Sequence, residues 1–162
     1  MLATNVDQRI LGYLGRALSL ELSAVQLYST QSRLVASWGL AEVAEKFSAE
    51  ASEEMLHAER IISRMLALGA APNASQLRPV RLGSNLQQLL QHDHAFEKEL
   101  IGLYADATRH CARQGDHDSR LFFEALLVEE QEHAQSLQQW LKQLEQASNT
   151  APVSKFTING EQ

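Results

Sequence analysis

Glu54-Met55-Leu56-His57 sets a carboxylate and an imidazole three residues apart, and the same spacing recurs at Glu130-Gln131-Glu132-His133. On an α-helix of about 3.6 residues per turn, positions i and i+3 share a face. Each pair is preceded by a further glutamate at one fixed distance: Glu21 lies 33 residues before Glu54, and Glu97 lies 33 before Glu130. Both of these glutamates interrupt apolar stripes of helical period, at positions where leucine would be the simpler choice. The repeated Glu…Glu-x-x-His pattern predicts two helical hairpins that each turn two carboxylates and one imidazole inward.

Charge says what such a cluster needs. Four carboxylates buried together repel one another and carry a large desolvation cost, which protonation relieves only by pushing several pKa values far upward. Two divalent ions balance four carboxylates and two neutral imidazoles. Mixed oxygen and nitrogen ligation suits iron or manganese, and zinc is also compatible. The geometry predicts that Glu21 and His57 hold one ion and Glu97 and His133 the other, with Glu54 and Glu130 bridging. Coordination positions stay open for water, O2 or peroxide. Each histidine should donate its other ring N–H to an acceptor, and Asp93 and Glu50, a turn from the ligands, are candidates.

The intervening sequence predicts the scaffold. Thr4 or Asn5 can cap a first helix whose stripe is Ile10, Leu14, Ala17, Leu18, Glu21, Val25 and Tyr28, ending near Trp38-Gly39. A second helix runs from Leu40 or Ala41 to Leu68, with the stripe Val43, Phe47, Glu50, Glu54, His57, Ile61 and Leu68. Residues 70–83 contain Pro72, Pro79 and Gly83 and lack helical period, so they predict a long crossover between two hairpins. A Ser84/Gln87 capping box opens the third helix, with Leu86, Asp93, Glu97 and Tyr104 inward. After Gln114-Gly115, Asp116 or Asp118 caps a fourth, with Leu126, Glu130, His133, Leu137, Trp140 and Leu144 inward. The reading is therefore all-α: a four-helix bundle over residues 1–146, and a non-standard C-terminal tail over 147–162, extended or disordered. The tail holds Pro152, Phe156, Ile158 and Asn159-Gly160.

Composition narrows the function classes. With 162 residues, 14 basic and 20 acidic side chains and a formal charge of −6, the chain has no basic surface for nucleic acid. It has no apolar run long enough to span a membrane, Met1 to Asn5 and the polar residues after them do not read as a secretory signal, and its one cysteine, Cys111, can form neither an intrachain disulfide nor a cysteine-based zinc site. A reducing, cytoplasmic setting fits best. Cys111 reads as a small packed residue, Trp38 and Trp140 as helix-end packing residues, and His92, His94, His110 and His117 as surface or channel residues.

Over about residues 5–146 the chain resembles the bacterioferritins, a ferritin-like di-iron family. The resemblance rests on Glu21-Leu22-Ser23-Ala24-Val25-Gln26-Leu27-Tyr28 with Trp38-Gly39-Leu40, on Glu53-Glu54-Met55-Leu56-His57-Ala58-Glu59-Arg60, on Leu68 to Asn73, and on Glu129-Glu130-Gln131-Glu132-His133. It implies a ferritin-like bundle that acts as a ferroxidase and iron store: Fe2+ is oxidised by O2 or H2O2 at a di-iron site and kept as ferric mineral. It further implies two-fold dimers assembling into a 24-subunit shell, a b-type haem ligated by Met55 of two subunits, Tyr28 as an electron donor beside the irons, and a ferredoxin-type reductant. Ala49 stands where some members carry an iron-binding histidine on the inner surface, Ser29 and Ser48 where aromatic residues flank haem, and the tail does not read as the family's short fifth helix. Two other readings fit the same residues: a rubrerythrin-like di-iron peroxidase or oxidase, and a haem-binding structural shell subunit whose metals brace the bundle.

Overall fold

The computed structural model describes residues 5–73 and 76–150. They form four long helices in the order α1 (Gln8–Ser37), α2 (Ala41–Ala67), α3 (Leu86–Gln114) and α4 (His117–Thr150), and no strand occurs among the described residues. The link between α1 and α2 is Trp38-Gly39-Leu40, which leaves room only for an antiparallel hairpin. Gly39 turns the chain with φ of 81°, a left-handed conformation that glycine adopts without a Cβ penalty. The Gly39 amide donates to the Ala36 carbonyl and the Leu40 amide to that of Val35, closing the last helical carbonyls in a Schellman pattern. α2 and α3 end in the same way, at Gly69 and Gly115.

Helix starts depart from the sequence reading by a few residues. Asp7 caps α1 by accepting the Arg9 amide, with Asn5 outside the helix and Thr4 outside the described residues. Asn85, rather than Ser84, caps α3 and accepts the Gln88 amide, while the Gln88 side chain reaches back to the Ser84 amide. The box is present, one residue later than the Ser/Gln spelling suggests, because the Asn carboxamide is at least as good a cap as a serine hydroxyl. Asp116 caps α4 through the Ser119 amide.

At its far end α4 corrects the expected linker: residues 147–150 are helical. Ser148, Asn149 and Thr150 are only weakly unfavourable in a helix, so a cluster of polar turn-formers does not by itself end one. Residues 151–162, on which the extended-tail reading falls, lie outside the described residues.

α1 packs chiefly on α2 and on α3, and α3 on α4. α1 and α3 bury the small residues Ala17, Ala24 and Ala107. On α2 the buried seam is Ala44, Ala51, Ala58 and Met65 together with Phe47, Glu54 and Ile61, a seven-residue repeat that displaces Val43, Glu50 and Leu68 to half-buried flanks. Alanine contributes little hydrophobicity per residue, so this seam is faint in the sequence. The crossover lies against the outside of α1 and α3: the Arg78 amide donates to Ser23 Oγ, and its guanidinium pairs with Glu99 at 2.6 Å.

The core has two apolar clusters. One gathers Leu14, Leu18, Ile61, Tyr104, Phe123 and Leu126; the other gathers Tyr28, Val35, Phe47, Leu89, Leu90 and Leu137. Between them lies a layer of buried glutamates. His110, expected at the surface or a channel, is instead 5% exposed, beside the Tyr13 ring and 2.6 Å from Asp7 Oδ2. It ties the start of α1 to the end of α3. Cys111 is buried as expected, and desolvation pushes its thiol up to about 11.

Candidate metal centre

All four helices contribute to the polar layer. α1 supplies Glu21, α2 Glu54 and His57, α3 Glu97, and α4 Glu130 and His133, and all four glutamates are fully buried. Their ligand atoms fall into two quartets, Glu21/Glu54/His57/Glu130 and Glu54/Glu97/Glu130/His133, each with its atoms within 4.8 Å of one another. Glu54 and Glu130 belong to both. Glu54 turns Oε2 to His57 Nδ1 at 3.2 Å and Oε1 to His133 Nδ1 at 3.1 Å. Glu130 likewise turns Oε1 to His57 Nδ1 at 2.8 Å and Oε2 to His133 Nδ1 at 3.5 Å. Each of these carboxylates thus offers one oxygen to each half of the layer. The imidazole rings face one another with centroids 5.8 Å apart.

The cluster is built as an internal repeat in which residue n matches residue n + 76. The repeat reaches beyond the six residues. Tyr28 donates its hydroxyl to Glu97 Oε1 at 2.5 Å, and its counterpart Tyr104 donates to Glu21. Tyr28 stacks near Phe47 and Tyr104 near Phe123, with centroid separations of 6.2 and 6.3 Å. Tyr104 appears in the sequence reading only as an inward residue, although the 76-residue offset from Tyr28 marks it as a partner.

The outward nitrogens of the histidines are also held. His57 Nε2 donates to Glu129 at 2.7 Å and His133 Nε2 to Glu53 at 2.8 Å, across the α2–α4 interface. Asp93 and Glu50 do not fill this role. Asp93 accepts from Gln31 Nε2 at 2.6 Å, and a Glu50 oxygen lies 3.7 Å from His133 Nδ1, on the inward side of the ring. The true acceptors immediately precede Glu54 and Glu130 in sequence, where a step of about 100° around the helix makes them look like solvent-facing acids.

Several buried carboxylate oxygens accept no well-aligned hydrogen bond among the described residues: Glu21 Oε2, Glu97 Oε2 and both oxygens of Glu130, which face the histidine Nδ1 atoms at 2.8 and 3.5 Å. An unsatisfied buried carboxylate oxygen is costly, and a cation set among the six groups would satisfy all of these atoms. The ionisation pattern points the same way. Burial raises Glu21 and Glu97 well above the usual carboxylate range, and neighbouring carboxylates add to it. Burial also opposes charge on Glu54 and Glu130, but their contacts with the two histidines outweigh it and hold both below that range. On the imidazoles desolvation works against the proton, yet the surrounding carboxylates prevail, lifting His57 far above its ordinary value and His133 to about 12. Without a cation, burial thus favours the protonated form of Glu21 and Glu97, and the surrounding carboxylates favour protonated His57 and His133.

Metal ligation requires each of these groups deprotonated. Loading divalent ions is expected to release protons, and apparent affinity is expected to rise with pH. Calorimetric titration with Co2+ in buffers of different ionisation enthalpy checks both. Binding without proton release would show that the ions sit elsewhere.

Comparison with known proteins gives the same layout a family. A ferritin-like domain model matches residues 11–147. Bacterioferritin from Rhodobacter capsulatus is 39% identical over 132 residues, covering 82% of each chain. That from Brucella melitensis biotype 1 is 33% identical with the same coverage, and that from Mycolicibacterium paratuberculosis 32% identical over 84% of this chain and 86% of its own. A 2.6 Å structure of the R. capsulatus protein, with a metal-free dinuclear site and a haem iron in a crystallographic special position, superposes with a TM-score of 0.84 at 35% identity, covering 92% of this chain and 98% of that one. With the ferritin-like match running nearly from the start of α1 to the end of α4, and identity above 30% over four-fifths of the length, the chain belongs to the bacterioferritins of the ferritin-like family.

Proposed function

We propose that this bacterioferritin stores iron and oxidises it on entry, with Fe2+ as substrate at the buried cluster. Glu21 and His57 would hold one ion, Glu97 and His133 the other, and Glu54 and Glu130 would bridge them. The observation that carries this reading is the paired presentation of Glu54 and Glu130, each with one oxygen toward each histidine. Two Fe2+ ions together supply two electrons, enough to take O2 to peroxide, or H2O2 with two protons to two waters. Tyr28 and Tyr104, hydrogen-bonded to Glu97 and Glu21, would relay an electron or a proton to the same layer. A groove of ≈ 960 Å3 between α2 and α4, lined by both histidines and by Glu53, Glu129, Glu132, Arg60 and Arg64, offers Fe2+ and oxidant a way in.

Storage needs a container, and the family relationship supports two-fold dimers closing into a 24-subunit shell around the ferric mineral. A ferredoxin-type protein is the proposed reductant for release. No described helix is long and apolar enough to cross a membrane, consistent with a cytoplasmic store. Met55 fits a haem: it is 39% exposed, one residue from Glu54 and turned away from the metal layer, and its thioether is an established axial donor. Exposed Ser52 and Ser48, one and two turns earlier on the same face, leave the surface beside it open. A b-type haem between Met55 of two copies would supply a one-electron relay. The rubrerythrin-like alternative draws no support from Cys111, whose buried thiol is far from the form that reacts.

Replacing Glu97 by Ala is expected to slow the first rapid phase of aerobic Fe2+ oxidation by at least about 100-fold, the scale on which loss of one essential catalytic group is felt, while helical content and assembled mass are retained. Oxidation that continues at the wild-type rate would refute the site. Met55→Leu is expected to abolish haem binding, read from the Soret absorption of protein reconstituted with haem, and to leave Fe2+ oxidation intact. Unchanged haem content would exclude Met55 as the ligand.

A further inference from the structure

We infer that the two metal positions are unequal: the one framed by Glu97 and His133 takes up a divalent ion first and holds it more tightly than the one framed by Glu21 and His57. This rests on the di-metal reading above and goes beyond it, because the six ligands themselves are matched by the n + 76 repeat. The inequality lies in what surrounds them.

Around the Glu21/His57 position the outer carboxylate is neutralised. Glu129 Oε2 receives both His57 Nε2 and Arg60 Nη1, each at 2.7 Å. Arg64 follows one turn later on α2, in the same groove, where it donates to Ser119 Oγ at 3.0 Å. Two guanidinium groups therefore lie on this side.

The other side inverts the pattern. By the repeat, Arg60 corresponds to Ser136 and Arg64 to Trp140, so both cations are missing. Glu53 receives His133 Nε2 at 2.8 Å and pairs with no lysine or arginine among the described residues. Glu50 adds a second carboxylate, 3.7 Å from His133 Nδ1, where the first half has buried Leu126. Glu50, Glu53 and His133 bring ligand atoms within 4.8 Å of one another. The one basic side chain lining the groove on this side, Lys46, lies over the Trp140 ring at 4.7 Å and forms no ion pair with either glutamate. His133 is also the more accessible imidazole, at 14% against 5% for the side chain of His57.

On the His133 side a divalent ion meets Glu50 and Glu53, neither in an ion pair with a lysine or arginine among the described residues, whereas beside His57 the guanidinium groups of Arg60 and Arg64 offset the groove acids Glu59, Glu129 and Glu132. Several of these groups are partly exposed, so water and salt screen them. What survives is a bias of about tenfold in affinity, since even screened charges act on a doubly charged ion within a few ångströms of buried groups. Loading is then ordered, and the site becomes competent only when the weaker position beside Arg60 fills.

Anaerobic titration with Co2+ alone, followed by calorimetry and by its visible ligand-field bands, tests this independently of any oxidation. The wild type is expected to bind two Co2+ per chain in resolved steps about tenfold apart. Glu97→Ala should lose the tight step and Glu21→Ala the weak one. Arg60→Gln should tighten the weak step several-fold, a gain that a merely structural role for Arg60 would not produce, and Glu53→Gln should weaken the tight one. Circular dichroism confirms that each variant is folded. Two equal steps, loss of the tight step in Glu21→Ala, or no tightening in Arg60→Gln would overturn the inequality and leave the di-metal reading standing. Fewer than two Co2+ per wild-type chain would overturn that reading itself.

Discussion

Four glutamates with no solvent exposure, aimed at one another from four helices, are the constraint on which this bundle depends. Carboxylates in that position demand positive charge, and the surrounding residues are arranged to admit either protons or cations. Two histidines reach in with Nδ1, each locked by a carboxylate at Nε2, so the nitrogen presented to the layer is fixed. Two tyrosines close the layer from α1 and α3. Above and below, apolar clusters exclude water and keep the local dielectric low, which makes the correct counter-charge worth more.

The packing follows from the same demand. α1 and α3 contribute one buried glutamate each, with a tyrosine of each helix bonded to the other's glutamate. α2 and α4 carry the Glu-x-x-His pairs and the paired outer acids, and grooves open between them. Two of the six groups thus sit on the α1–α3 side, and the other four stand on the helices between which the grooves open. The four buried glutamates and the two tyrosines that bond them occur in repeat-related pairs, whereas the buried Gln31 and Asp93 pair with each other and match alanines in the repeat.

Much of this was legible in the sequence because the determining signals are local and periodic. Three-residue Glu/His spacing fixes a helix face, and the repeated 33-residue separation places each pair beside its partner glutamate across a short turn. Prolines and glycines between residues 70 and 83 mark the crossover. The parts that escaped depend on contacts between helices distant in sequence. Glu53 and Glu129 look like surface acids until α2 faces α4, and His110 looks exposed until Asp7, more than a hundred residues away, comes beside it. Phe47, Glu54, His57 and Ile61 of the α2 seam were legible, but Ala44, Ala51 and Ala58 escaped because alanines carry close helix packing without a strong hydrophobic signature. The end of α4 escaped because the polar turn-formers Ser148, Asn149 and Thr150, which are helical, were read as a break.

A crystal structure of protein loaded with Fe2+ under anaerobic conditions, with data collected on both sides of the iron absorption edge, tests the central claim most directly. The account predicts two anomalous peaks per chain inside the bundle, about 3.5–4 Å apart as in other two-metal sites, one against Glu21 and His57, the other against Glu97 and His133, with Glu54 and Glu130 between them. Iron confined to the surface acids Glu50 and Glu53, or a buried layer that stays without iron while its carboxylates keep their protons, would contradict it.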